Sequence, residues 1–301
     1  MIAFSLVEDT ISPKKTCIKG AGYEGEVILM KAISRRGFIG AGATAAAVAA
    51  FGLAGCGGSS DSGSSNAQGE SDASEFKLVE EGKLTIGTDF DYPPFTMLED
   101  GEPAGFEYAM MTEICSRIGL EISYLSPQNF DTLITQVAAG TTMDVAVSGI
   151  TINDERLESV DFTDSYYDSN LAIVTMAETE ITSKDQLADY TIGAQSGTSG
   201  EDWILENVGD EDYVPFTAIT EALLALRTDK VQALVYDAPV AEAHIKGEYS
   251  DMAILETIAT GEQYGIAVNK ENTALTEAIN GALSDMMADG TMDKLITSEL
   301  G

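Results

Sequence analysis

Between residues 76 and 301, short apolar runs of strand length alternate with stretches whose apolar positions recur at the helical period. Residues 84–89, 121–125 and 143–148 read as strands, the last a buried one. Between them, residues 105–119 set Phe106, Met110, Ile114 and Ile118 on one side of an amphipathic helix, and 130–139 repeat that period. The alternation then restarts, with strands at 171–176, 190–194, 213–216, 231–236 and 264–268 and helices at 199–207, 219–228 and 239–246. Residues 272–300 carry one or two more helices, interrupted near Gly290. Strands separated by helices imply parallel sheets covered on both faces. Two rounds of the pattern, over about 225 residues, imply two lobes rather than one simple core.

The chain ahead of this body has a different grammar. Residues 31–56 run from a basic start, Ser34-Arg35-Arg36-Gly37-Phe38-Ile39, through an apolar stretch rich in Ala and Gly to Leu53-Ala54-Gly55-Cys56. That order is an export signal ending in a lipobox, with Cys56 as the acylation site. The paired arginines followed by Phe resemble a twin-arginine signal. The apolar part, about 17 residues, sits at the short limit for spanning ~30 Å of hydrocarbon, so an anchored protein is expected rather than a membrane-spanning one. Glu8, Asp9, Glu24 and Glu26 precede the arginines, where export signals lack acidic groups, and Met30 makes a better start than Met1. Residues 57–74 hold almost no apolar side chain and read as a flexible tether.

Charge and cysteines narrow the function. Residues 1–55 hold six of the 16 Lys and Arg and four of the 50 Asp and Glu, leaving the remainder near −36. Such a field repels phosphates, which excludes nucleic-acid partners and is consistent with a solvated surface that keeps an exported protein soluble. Of the three cysteines only Cys115 lies in the body, beside Ile114 and Ile118 in a helical pattern, where it reads as a small core residue. No disulfide framework or cysteine metal site can be built from it. The single histidine, His244, falls in Ala241-Glu-Ala-His-Ile-Lys246 and reads as an exposed or half-buried helix residue rather than a general base. Neither a nucleophile elbow nor a phosphate loop occurs. No cofactor or metal is expected.

In open α/β sheets ligands bind beyond the carboxyl ends of the strands, which directs attention to Asp89-Phe-Asp-Tyr92, Gly149 to Arg156, Gln195-Ser-Gly-Thr-Ser199 and Tyr236-Asp237. Arg156 has the planar fork that grips a carboxylate, or else pairs with Glu155 or Glu158 on the surface. The residues 196–199 precede a helix, so their N–H groups suit an anion or simply cap that helix. Asp237 directly follows an apolar strand, a costly place for a carboxylate without a cation, unless it caps the helix near Pro239. Tyr92 and Phe130 are placed to flank an apolar surface or to join the core. Together the groups match the two charges of an amino acid.

The order of these pieces resembles the polar-amino-acid-binding proteins of bacterial ABC importers, the family that includes glutamine-, histidine- and lysine/arginine/ornithine-binding proteins. The resemblance covers about residues 83–301 and rests on Gly87-Thr-Asp-Phe-Asp-Tyr-Pro-Pro-Phe95, Gly105-Phe106, Phe130-Asp131, Met143-Asp-Val-Ala-Val-Ser-Gly-Ile-Thr-Ile-Asn-Asp-Glu-Arg156, Val160-Asp-Phe-Thr-Asp-Ser-Tyr-Tyr167, Gly197-Thr198, Asp237-Ala-Pro239 and Tyr264-Gly-Ile-Ala267. It implies an α/β, two-lobed periplasmic-binding-protein-like fold of type II, each lobe a mostly parallel sheet. One lobe would comprise 76–168 with 266–301, the other 172–262, joined by crossover strands near 168–171 and 263–266. Residues 1–29 would lie outside the translated protein, 30–55 form the signal, and 56–75 hold the lipidated cysteine and tether.

By the same resemblance Arg156 and Thr151 would take the ligand α-carboxylate, helped by the backbone at Thr198 and Ser199. Asp237, with the carbonyl of Gly149, would take the α-ammonium. Tyr92 and Phe130 would flank the ligand, and Asp89 would address its side chain. Gln195 and Tyr236 replace the lysine and histidine of a glutamine-binding relative, leaving side-chain choice open. The implied protein is a monomer anchored outside the cell membrane that delivers an amino acid to a permease and its ATPase. Dehydratases acting on cyclic carboxylates share this fold and are the competing class, with a ligand-sensing module for a signalling receptor as a third.

Overall fold

The computed structural model describes residues 76–301, all within one compact unit. The export signal, Cys56, the tether and the alternative start at Met30 lie outside the described residues. In chain order the elements are β1 (Lys83–Gly87), β2 (Asp91–Tyr92), β3 (Thr96–Glu99), β4 (Glu102–Ala104), α1 (Phe106–Ile118), β5 (Glu121–Tyr124), α2 (Leu133–Ala139), β6 (Val145–Ala146), α3 (Asp154–Ser159), β7 (Asp161–Phe162) and β8 (Tyr167–Met176). There follow β9 (Ile192–Gln195), α4 (Ser199–Asn207), β10 (Tyr213–Phe216), α5 (Ile219–Arg227), β11 (Ala233–Asp237), α6 (Ala238–Lys246), β12 (Met252–Tyr264), β13 (Ala267–Val268), α7 (Thr273–Ala288) and α8 (Thr291–Glu299). Short 3₁₀ turns occupy Phe130–Thr132 and Lys184–Asp189.

Two five-stranded sheets result, ordered β5-β1-β6-β13-β7 and β10-β9-β11-β8-β12. In each, three strands pair in parallel, and only β13 in the first and β8 in the second run against the rest. The central strands are buried on both sides, as parallel strands covered by helices must be: every residue of β9 and of β11 is buried. Helix α1 buries Phe106, Met110, Met111, Ile114, Cys115 and Ile118, and stops at Gly119 in the left-handed conformation. The two antiparallel strands that link the sheets, β8 and β12, pair along their length to Asp168↔Gln263 and Tyr167↔Tyr264, with the register shifting between Ile258 and Glu262. From that pair the chain passes to β13 and the C-terminal helices α7 and α8, which pack on α1.

Several features differ from the sequence expectation, among them the strand expected at 264–268, which is divided between the end of the long β12 and β13. The run 143–148 forms only the two-residue β6: Asp144 turns its carboxylate onto the N–H groups of Val79 (2.8 Å) and Thr85 (2.7 Å), and past Ala146 the Val147 N–H makes one last bond to β1, at the Gly87 carbonyl (3.1 Å). Residues 91–104 form the small meander β2-β3-β4, whose polar, half-exposed strands carry little apolar signal. His244 is 7% exposed and packs between Tyr236 and Tyr249, so it is a core residue, and burial pushes its imidazole down to about 4.

Candidate functional site

The carboxyl ends of β1, β6, β9 and β11 converge on one narrow space between the sheets. Its walls are Tyr92, Phe130, Gly149, Thr151, Arg156, Gln195, Thr198, Ser199 and Asp237, and they close in on one another so far that the cavity between them is only about 10 Å³. Nine of the ten candidate residues thus meet at one place. The tenth, Asp89, lies one step behind, buried and joined to Gln195 Nε2 (3.3 Å).

Arg156 sits on α3, a helix capped by Asn153, whose side chain accepts from the Arg156 N–H at 2.8 Å. The side chain is buried. Its Nη1 donates to the Thr151 carbonyl at 2.6 Å and its Nη2 crosses to the Gly197 carbonyl at 2.8 Å, with the guanidinium 5.7 Å from the Phe130 ring centre. Among the described residues it forms no ion pair, with Glu155, Glu158 or any other carboxylate. A guanidinium has five N–H donors, so three remain beyond these two bonds. Burial pushes its ionisation downward, opposed by the nearby charges of Asp202 and Asp237.

Asp237 is the mirror case. It closes β11 fully buried, and although it stands at the N-cap position of α6 its side chain makes no capping bond. Instead it accepts from the hydroxyls of Tyr92, Tyr264 (2.5 Å) and Ser169 (3.3 Å). Burial pushes its carboxyl above the usual range, and the three hydroxyls pull the other way. Three neutral donors without a cation leave the negative charge locally unbalanced. Sequence reasoning expected a cationic partner for Asp237 and missed Tyr264 and Ser169, whose hydroxyls come from β12 and β8.

The rest of the wall is built from backbone. Thr198 caps α4 by accepting the Glu201 N–H (3.3 Å), and Glu201 returns to the Gly197 N–H at 2.6 Å, so the capping role and the position at the cavity coexist. Gly149 has φ +57°, and a Cβ there would stand 2.5 Å from the Tyr92 ring. Asp89 accepts from Ser148 (2.7 Å), which a reading of strand ends alone did not single out. Gln195 also donates to the Thr217 carbonyl at 3.1 Å.

The fold, with strand ends of two sheets sharing one cavity, is that of a two-lobed solute-binding protein. Residues 84–300 match the bacterial extracellular solute-binding proteins, family 3, and the chain belongs to that family. The L-cystine-binding protein TcyJ of Escherichia coli K12 is 29% identical over 222 residues, covering 73% of this chain and 83% of that protein. The arginine-binding extracellular protein ArtP of Bacillus subtilis 168 is 29% identical over 258 residues, covering 83% and 93%. Among solved structures, a mutant of ArgBP from T. maritima is 34% identical with a TM-score of 0.69, covering 72% of this chain and 95% of that one. An ancestral arginine-binding protein bound to glutamine is likewise 34% identical, with a TM-score of 0.68 and coverage of 73% and 98%. Family and relatives are binding proteins, which sets the dehydratase reading aside.

Proposed function

We propose that this chain captures a polar amino acid outside the cell membrane by closure of its two lobes and delivers it to an ABC permease. One observation carries the reading: a buried arginine without a carboxylate and a buried aspartate without a cation face the same cavity, among the described residues. Each is costly to bury alone, and an α-amino acid offers the complement of both in one molecule. Arg156 and Thr151, with the N–H groups at Thr198 and Ser199 at the start of α4, take the carboxylate. Asp237 and the Gly149 carbonyl take the ammonium, and Tyr92 and Phe130 flank the ligand.

Asp89, behind Gln195, favours a side chain that donates hydrogen bonds. The ligands of the relatives, cystine for TcyJ and arginine for ArtP, agree with a polar choice. Residues 76–168 with 266–301 form one lobe and 172–262 the other, so closure brings Arg156 from one onto Gly197 of the other. Ligand contacts on both lobes stabilise the closed state, the signal a permease reads. Export and lipid attachment at Cys56 hold a monomeric receptor at the membrane surface.

A thermal-shift screen of the purified protein against the common amino acids and cystine tests this. A ligand at about 100 times its Kd adds roughly 2.7 kcal/mol to stability. No shift with any of them would overturn the reading.

A further inference from the structure

Glu107, in the first turn of α1, is 1% exposed and belongs to none of the groups assigned above. Its Oε1 accepts two hydrogen bonds, from the Gly149 N–H at 2.7 Å and from the Tyr166 hydroxyl at 2.5 Å. Its Oε2 is buried with no hydrogen-bond partner. A carboxyl in such surroundings is unfavourable as a packing element, and burial pushes it up to about 7. An apolar side chain would fill the space without that penalty but would leave the Gly149 N–H unpaired.

The two bonds lead to the cavity from two directions. Gly149, in the left-handed conformation, is held between Glu107 on its N–H and the Tyr92 ring on its open face. Two residues on, the Thr151 carbonyl receives Arg156. On the other branch the Tyr166 N–H donates to the Tyr264 carbonyl at 3.0 Å, and the Tyr264 hydroxyl donates to Asp237. One carboxyl therefore supports the backbone that orients the arginine and the tyrosine that steadies the aspartate.

We propose that Glu107 is a positioning residue of the amino-acid site, fixing the Gly149 peptide so that its carbonyl and the Thr151–Arg156 segment meet the ligand. The proposal rests on the binding function stated above. It concerns geometry held in advance, since a polar group held in place binds better than one that must be ordered on contact.

Three variants of the full chain test it by calorimetric titration with L-arginine, L-glutamine and L-cystine. Glu107→Met removes the acceptor at nearly unchanged length and is expected to weaken binding at least about tenfold, as loss of a buried hydrogen-bond partner does. Glu107→Gln keeps an acceptor oxygen for both donors and is expected to stay within about threefold of the parent. Asp144→Asn, which loosens the buried contacts to Val79 and Thr85 away from the cavity, reports what general destabilisation does and should leave Kd unchanged. If Glu107→Met does not fold, Glu107→Asp, which withdraws the carboxyl by one methylene, takes its place with the same expected loss. Unchanged Kd in a folded Glu107→Met or Glu107→Asp, or equal losses in the Met and Gln variants, would overturn the positioning role while leaving the binding function intact. Failure of the parent protein to bind any of the three would overturn this proposal for lack of a ligand whose groups it positions, and is distinguished by occurring without any substitution.

Discussion

Replacing Arg156 by methionine removes the cavity's cation while keeping most of its apolar stem. Two of the guanidinium's five donors are engaged by the Thr151 and Gly197 carbonyls, so three remain for a carboxylate. Two charge-assisted bonds, each contributing about 1.5–2 kcal/mol net, give about 3–4 kcal/mol. That corresponds to a weakening of roughly 150- to 700-fold in Kd by calorimetry. The ligand-free protein behaves differently. It loses two hydrogen bonds but is relieved of a buried cation that has no paired carboxylate, so the two changes oppose one another. Its melting temperature is therefore expected within about 4 °C of the parent, while the ligand-induced rise disappears. A Kd within threefold of the parent, in a folded variant, would refute the assignment of Arg156 to the carboxylate.

Other consequences follow from the same geometry. Asp237→Asn keeps an acceptor but no charge, and is expected to weaken binding by about 2 kcal/mol, roughly 30-fold, while raising ligand-free stability because burial disfavours the ionised carboxyl; denaturant melts and titration check both signs. At Gly197, φ is +76° and a Cβ would lie 3.0 Å from Asp131 Cα across the cleft. Gly197→Ala is thus expected to cost about 1–2 kcal/mol in strain and to reduce affinity further by obstructing lobe approach, seen as a smaller ligand-induced compaction in X-ray scattering. The Glu107 carboxyl is pushed from 4.5 up to about 7, so the folded state holds its proton more tightly than the unfolded one. Its contribution is fully present below about pH 4.5 and declines as pH rises through about 7, a loss of about 3 kcal/mol that Glu262, also near 7, augments in the same direction. Urea midpoints measured from pH 5 to 8 should fall, and Glu107→Gln should flatten that slope.

How much of this was readable in advance depended on the kind of signal. The buried strands β9 and β11 are apolar up to their ends, β1 carries Leu84 and Ile86 around Thr85, and the rule that ligands gather beyond strand ends led from them to Asp89, Gln195 and Asp237. The meander of β2 to β4 and all of β12 ahead of its end near Gln263 were missed because half-exposed polar strands resemble loops; β12 contains Thr257, Thr260, Gly261 and Gln263. Tyr264 was read as the start of a strand, but nothing in the sequence showed that its hydroxyl reaches Asp237 in place of a cation. Helical periodicity placed His244 on a helix but not on its buried side, which depends on Tyr236 and Tyr249 packing against it. Glu107 was invisible for another reason: a glutamate in a helix's first turn is ordinarily a solvated end group, and only the three-dimensional approach of Gly149 and Tyr166 gives it a task.

If Arg156 and Asp237 act as proposed, one cavity recognises both charges of a free amino acid. The most direct measurement is calorimetric titration of the protein with the amino acid giving the largest thermal shift, alongside its α-methyl ester and its Nα-acetyl derivative. The free amino acid should bind, and each derivative should lose at least about 100-fold, because Arg156 then lacks its carboxylate or Asp237 its ammonium. Binding of either derivative with undiminished affinity would contradict the claim.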